Sequence, residues 1–80
     1  MKTCKYGDKG TDVAVMQTIL SALWMTDYNG VFITPDGEFG SKTRAAVERF
    51  QAAAQKNGLY DGQIDGIFGP KCWRAVGYDS

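Results

Sequence analysis

Histidine is absent from all 80 residues. Without an imidazole, neither a Ser-His-Asp nor a Cys-His arrangement can be assembled within the chain, and the commonest metal ligand is missing. Cysteine is scarce: Cys4 and Cys72 are the two in the sequence, with no CxxC pair. A four-ligand zinc site is therefore out of reach, and no metal or cofactor is expected. Net charge is lacking as well. Nine Lys+Arg balance nine Asp+Glu, so no field draws the chain to nucleic acid or to anionic lipid. No apolar run approaches the roughly 20 residues of a membrane helix, which argues against membrane insertion. The opening Met1-Lys2-Thr3-Cys4-Lys5-Tyr6-Gly7 lacks the apolar core of a signal peptide. The chain is then cytosolic when made, released by another route, or part of a longer secreted protein.

What is present is ordinary for a globular domain, with 44% hydrophobic and 22% charged residues. Eighty residues make one domain, 1–80, near the size at which a single core is only marginally sufficient. Its most distinctive feature occurs twice. Asp36-Gly37-Glu38-Phe39-Gly40-Ser41-Lys42-Thr43-Arg44-Ala45-Ala46-Val47 lies over Asp65-Gly66-Ile67-Phe68-Gly69-Pro70-Lys71-Cys72-Trp73-Arg74-Ala75-Val76 at an offset of 29, with seven of twelve positions identical. Each copy reads as a tight turn that lowers one phenylalanine into a core, caps a helix start and then begins the helix. Asp before Gly is where a carboxylate caps its own backbone.

A helix over about 11–24 follows from Val13, Met16, Leu20 and Leu23 at steps of three, four and three, with Thr11 as the capping hydroxyl and Asp12 in the first turn. Residues 26–40 form a long connection with turn signals at Asn29-Gly30 and Pro35-Asp36-Gly37; Val31-Phe32-Ile33-Thr34 between them can be briefly extended. A second helix, about 41–56, turns Thr43, Ala46, Val47, Phe50 and Ala54 to one face and stops at Asn57-Gly58. After a second connection at 59–64, a short helix over about 70–76 starts at Pro70. A further echo, Val13-x-x-Met16-Gln17 against Val47-x-x-Phe50-Gln51, recurs at an offset of 34. Each glutamine sits at the edge of a buried stripe, the place for a structural strut to a neighbouring loop. The fold class is all-α, three helices with two long connections.

In this order and spacing, the residues resemble the three-helix peptidoglycan-binding domain found beside many bacterial and phage cell-wall hydrolases. The resemblance rests on Gly7-x-x-Gly10-x-x-Val13-x-x-Met16-Gln17, on Asp36-Gly37-x-Phe39-Gly40-x-x-Thr43-x-x-Ala46-Val47-x-x-Phe50-Gln51, and on Gly58-Leu59 with Asp65-Gly66-x-Phe68-Gly69-Pro70-Lys71-Cys72-Trp73. It covers nearly the whole chain. Cys4 stands where the family usually has leucine and Cys72 where it usually has threonine. Both positions are expected to face inward, so a Cys4–Cys72 disulfide and two separate buried thiols are the alternatives. Trp24 stands near a position that is often glycine, and the connection over 26–35 is longer than usual.

The resemblance implies non-catalytic binding to peptidoglycan, through its glycan or its stem peptide, by a monomeric module that targets a linked hydrolase, in the cell wall or outside the cell. Glycoside hydrolysis would need two carboxylates, but Asp36 and Asp65 fall in the capping place of matching turns. Of the two tryptophans, four tyrosines and four phenylalanines, Phe39, Phe50 and Phe68 are assigned to the core and Trp73 to its edge. Trp24, Tyr28 and Tyr60 lie in or beside the connections and are the candidate ligand surface, a shallow groove between the two connections. Asp61, Gln63 and Arg44 are the candidate polar contacts. The alternative function is a protein-interaction or tethering domain on the same frame.

Overall fold

The computed structural model describes residues 2–78. Three helices make up its regular structure: α1 (Thr11–Ala22), α2 (Ser41–Lys56) and α3 (Pro70–Ala75). Among the described residues there is no named strand, only isolated bridges, and no helix is long and apolar enough to cross a membrane. The architecture is all-α.

The core joins one stripe from each helix to the two phenylalanines of the repeated turns. Met16, Leu20, Ala46, Val47, Phe50, Phe39 and Phe68 are all buried. Thr43, Ala46, Val47, Phe50 and Ala54 form the buried face of α2, as their spacing indicates. Trp73 sits deeper than an edge position. It is fully buried, meets Phe68 edge to face at 4.9 Å, and donates its indole N–H to the Lys2 carbonyl. That bond ties α3 to the chain start, and the favourable aromatic geometry explains why the ring is central.

The lead-in segment holds both turns. Cys4 exchanges two backbone hydrogen bonds with Phe68 at 3.0 and 2.8 Å; Phe39 pairs with Gly7 and Asp8 in the same manner, at 3.0 and 2.9 Å. Both phenylalanines are thus pinned from the same strip of chain.

The helix starts depart from expectation. Glycines 10, 40 and 69 occupy the three N-cap positions, and none has a side-chain cap. Thr11 is already inside α1 and caps nothing. The carboxylates of Asp36 and Asp65 do cap their own backbone, accepting from the N–H two residues on, Glu38 and Ile67, each at 3.0 Å. They stabilise the turn rather than the helix. Within the turns, Gly37 and Gly66 need their left-handed φ of 80° and 75°, and a Cβ on Gly37 would meet the Gly10 carbonyl at 3.3 Å.

The repeated glutamines are the struts of those turns. Gln17 Nε2 donates to Asp36 Oδ1, the Glu38 carbonyl and Thr43 Oγ1, while its Oε1 accepts from Gly37 N–H. Gln51 Nε2 donates to Asp65 Oδ1, the Ile67 carbonyl, Tyr60 Oη and Cys72 Sγ, and its Oε1 accepts from Asp65 and Gly66 N–H. Cys72 does in the second half what Thr43 does in the first. The bridge to Cys4 is not formed: both cysteines are free and buried, and their thiols go to different acceptors, Cys4 to the Lys2 carbonyl and Cys72 to the Ile67 carbonyl.

The two halves differ in length where it matters. Gln17 is 19 residues from the Asp36 it braces, whereas Gln51 is 14 from Asp65. The five additional residues lie in the first connection.

Candidate functional site

That longer connection is a braced loop. Asp27 is buried and its Oδ1 accepts from Asn29 and Val31 N–H at 2.8 and 2.9 Å, closing a turn around Gly30. Arg49 on α2 donates to Thr26 Oγ1 and to the Asp27 carbonyl, and Ser21 on α1 donates to the Ile33 carbonyl. Ile33 turns into the core while Val31 and Phe32 do not. With its backbone fixed from both helices, the loop presents rings outward on a rigid base.

Trp24 opens this surface. All three helices end in the same pattern, in which the second residue past the last helical one takes a left-handed φ and the next N–H reaches back five residues: Met25 to Leu20, Leu59 to Ala54, Tyr78 to Trp73. The left-handed position is Gly58 after α2 and Gly77 after α3, but Trp24, with φ of 62°, after α1. The indole is 77% exposed and meets Phe32, itself half exposed, edge to face at 5.7 Å.

Two clefts flank the connection where it crosses the start of α2. The larger, about 540 Å³, runs from Asp8 and Lys9 past Phe32 and Glu38 to Ser41 and Lys42. The smaller, about 300 Å³, lies between Tyr28 and Ser41, Lys42 and Ala45. Ser41 and Lys42 line both, so the two clefts adjoin at the start of α2 as a groove of two parts. At its rim Lys9 Nζ is 3.6 Å from Glu38 Oε1. Tyr28 is 67% exposed and its hydroxyl donates to Glu48 Oε1 at 2.9 Å, which pushes the phenol pKa up.

The expected site residues divide. Trp24 and Tyr28 lie on this connection and face water. Tyr60 does not: it is 7% exposed, with its hydroxyl accepting from Gln51 and donating to the Gln63 carbonyl. Burial, reinforced by Cys72 and Asp65, pushes the phenol up to about 12. It is a core strut, drawn in because the shorter second connection leaves its ring beside Gln51. Asp61 and Gln63 border a separate cleft of about 650 Å³ with Asp65, Lys71 and Arg74, where Asp61 pairs with Lys71 at 3.3 Å. Arg44 lies over Gly66 and pairs with Glu48 at 3.5 Å. No single groove between the connections gathers all six. Sequence reasoning alone does not find Phe32 and Lys42. The signal for Phe32 is that a three-residue apolar run in extended chain can turn only alternate residues to a core.

The Asp36 carboxyl is held below its ordinary pKa by the Glu38 N–H and the Gln17 amide, and so stays ionised. Among the described residues no three His, Cys, Asp or Glu side chains cluster to hold a metal.

The family model for the peptidoglycan binding domain matches residues 9–57, more than half of the chain. The chain belongs to this family. It is 41% identical over 68 residues to a "Probable N-acetylmuramoyl-L-alanine amidase" of Bacillus licheniformis, covering 79% of this chain and 16% of that protein. Among solved structures it is similar to the endolysin of Burkholderia phage AP3, with TM-score 0.72 and 37% identity over 95% of this chain and 25% of the endolysin. It is also similar to a peptidoglycan-binding protein from Clostridioides difficile, solved in complex with glutamine hydroxamate, with TM-score 0.73 and 34% identity over 95% of this chain and 40% of that one. The chain thus spans less than half the length of each of these relatives. Family membership and the hydrolase relatives support a role in binding the cell wall.

Proposed function

We propose that this domain attaches to bacterial peptidoglycan without chemistry of its own, through the groove along its first connection, and keeps a linked wall hydrolase on its insoluble substrate. The supporting observation is how the fold divides its aromatic rings. Those of the repeated turns and α3 are consumed by the core, whereas Trp24, Tyr28 and Phe32 are held in water on a braced loop beside polar groups. Folding gains little from that exposure; a ligand would gain much. A linked hydrolase is suggested by relatives far longer than this chain. Tethering raises its effective concentration at the wall, so a weak site suffices. The protein then acts in the cell wall or outside the cell, as part of a secreted or phage-released product.

The test is sedimentation with purified sacculi. The domain pellets with sacculi and stays in the supernatant without them; a domain that never pellets refutes the reading. An apolar cleft lined by Ile19, Leu23, Met25, Phe50, Leu59 and Val76 favours the second reading, a protein-interaction domain, which predicts no pelleting.

A further inference from the structure

We propose that the groove reads the sugar strand of the wall, its N-acetylated amino sugars, rather than the stem peptide, with the Trp24–Phe32 corner as the platform for one sugar ring. This deepens the attachment reading and rests on it. Three observations converge on the corner.

The first is internal. The chain solves the same helix ending three times, twice with glycine and once with tryptophan. A large side chain at a left-handed φ is strained, and such strain persists where it serves a function. Here it holds an indole outward, 77% exposed, against Phe32, a half-exposed ring that itself lines the larger cleft. The two planes meet at 67°, so the rings form a corner instead of stacking flat, and both keep much of their surface in water.

Charge supplies the second. A stem peptide carries free carboxylates beside its side-chain amine, and holding those carboxylates calls for Arg or Lys. The larger cleft offers the reverse: Asp8, Asp36 and Glu38 outnumber Lys9 and Lys42. All three carboxylates are engaged locally, Asp8 by the Lys5 N–H, Asp36 by the turn and Glu38 by Lys9. Three acids against two lysines leave the lining one net negative charge, which disfavours a carboxylate and leaves a ligand of hydroxyls and acetamido groups with one apolar face.

The third is shape. The two clefts share Ser41 and Lys42 and adjoin along the connection, with Phe32 on one side and Tyr28 on the other. Two adjoining clefts with one ring in each suit a linear chain better than a ligand held at one end.

The experiment is an NMR titration of the whole domain, in parallel with sacculus sedimentation. One probe is a linear tetramer of β-1,4-linked N-acetylglucosamine; the other is the tetrapeptide L-Ala-γ-D-Glu-L-Lys-D-Ala. The expected result is that the sugar shifts the Trp24 indole N–H and the amides of 32–34 and 41–42, and the peptide shifts none of them. Trp24→Gly, which suits the left-handed position, and Phe32→Ser each weaken sugar binding at least tenfold with the remaining spectrum native. Sacculus binding together with a response to the peptide alone, or to neither probe, overturns the sugar reading while attachment stands. Failure to sediment overturns both. Full sugar affinity in folded Trp24→Gly removes the corner from the site.

Discussion

Gln51 donates its amide to Asp65 at 3.0 Å, and Gln17 does the same to Asp36 at 3.1 Å. One buried side chain thus supplies the donor and the acceptor that each tight turn cannot find in its own backbone. Since Gln51 also satisfies the N–H groups of Asp65 and Gly66 and the Ile67 carbonyl, Gln51→Ala strands several polar groups at once. The expected loss is on the order of 2–4 kcal/mol, a large part of the stability of so small a domain. Gln55→Ala, which removes one exposed bond to Gly62, is expected to cost less than about 0.5 kcal/mol. Urea midpoints of the two variants check the contrast; equal midpoints would remove the strut from the account of the fold.

A second prediction concerns the left-handed tryptophan. Trp24→Ala keeps a Cβ at φ of 62° and loses the Phe32 contact, so it inherits the strain without its compensation. Trp24→Gly loses the contact but releases a strain of roughly 1–2 kcal/mol, offset in part by the freer unfolded chain. The glycine variant is expected to be the more stable of the two by about 1 kcal/mol. Thermal unfolding of the pair measures it, and an alanine variant as stable as the glycine one would mean that the position is not strained.

The duplicated features are legible in the amino-acid sequence because each is a local rule stated twice. Asp-Gly-x-Phe-Gly sets its own turn, and Phe39 and Phe68 both go to the core. Gln17 and Gln51 announce a strut by their place beside the stripe. The family is legible for the same reason. Tyr60 is not, because the direction of its ring depends on a partner nine residues away, on another element, and on a connection too short to carry it outward. A capping role for Thr11 fails because Gly10 pairs with Gly37 through its N–H and enters the helix one residue earlier. Trp73 reads as an edge residue from its neighbours because its anchor, the Lys2 carbonyl, lies 71 residues away. Long-range partners decide what periodicity leaves open.

Acid should weaken the first turn in a defined window. Hydrogen bonds from the Glu38 N–H and the Gln17 amide lower the Asp36 pKa in the folded state from its ordinary 3.8. A depressed folded value means that the contribution is fully present above the unfolded value and is lost as pH falls through the folded one. Asp36→Asn keeps an acceptor oxygen but not the charge. The wild type is therefore expected to be the more stable at neutral pH, with the difference shrinking below about pH 4. Paired thermal melts between pH 2 and 7 follow it, and a difference that is constant across that range would contradict the assignment.

The last prediction separates buried thiols from a bridge. Burial, with Asp12 and Asp8 adding to it, pushes the Cys4 thiol up to about 11, and burial also raises Cys72. A thiol that ionises so reluctantly and lies under the surface is a poor nucleophile. Both cysteines are expected to react slowly with a disulfide reagent such as DTNB in the native protein and rapidly in denaturant, releasing two equivalents in total. Reducing agent should leave the melting temperature unchanged, because there is no cross-link to remove. Cys72→Thr is the sharper variant. It installs the residue that Thr43 already provides in the first half, a hydroxyl that accepts the glutamine amide at 3.0 Å where sulfur stands at 3.5 Å. Its stability should stay within about 1 kcal/mol of the parent, while Cys72→Val, which has no acceptor for Gln51, should lose more. A protein that loses melting temperature on reduction and releases no thiol in denaturant would instead carry the bridge.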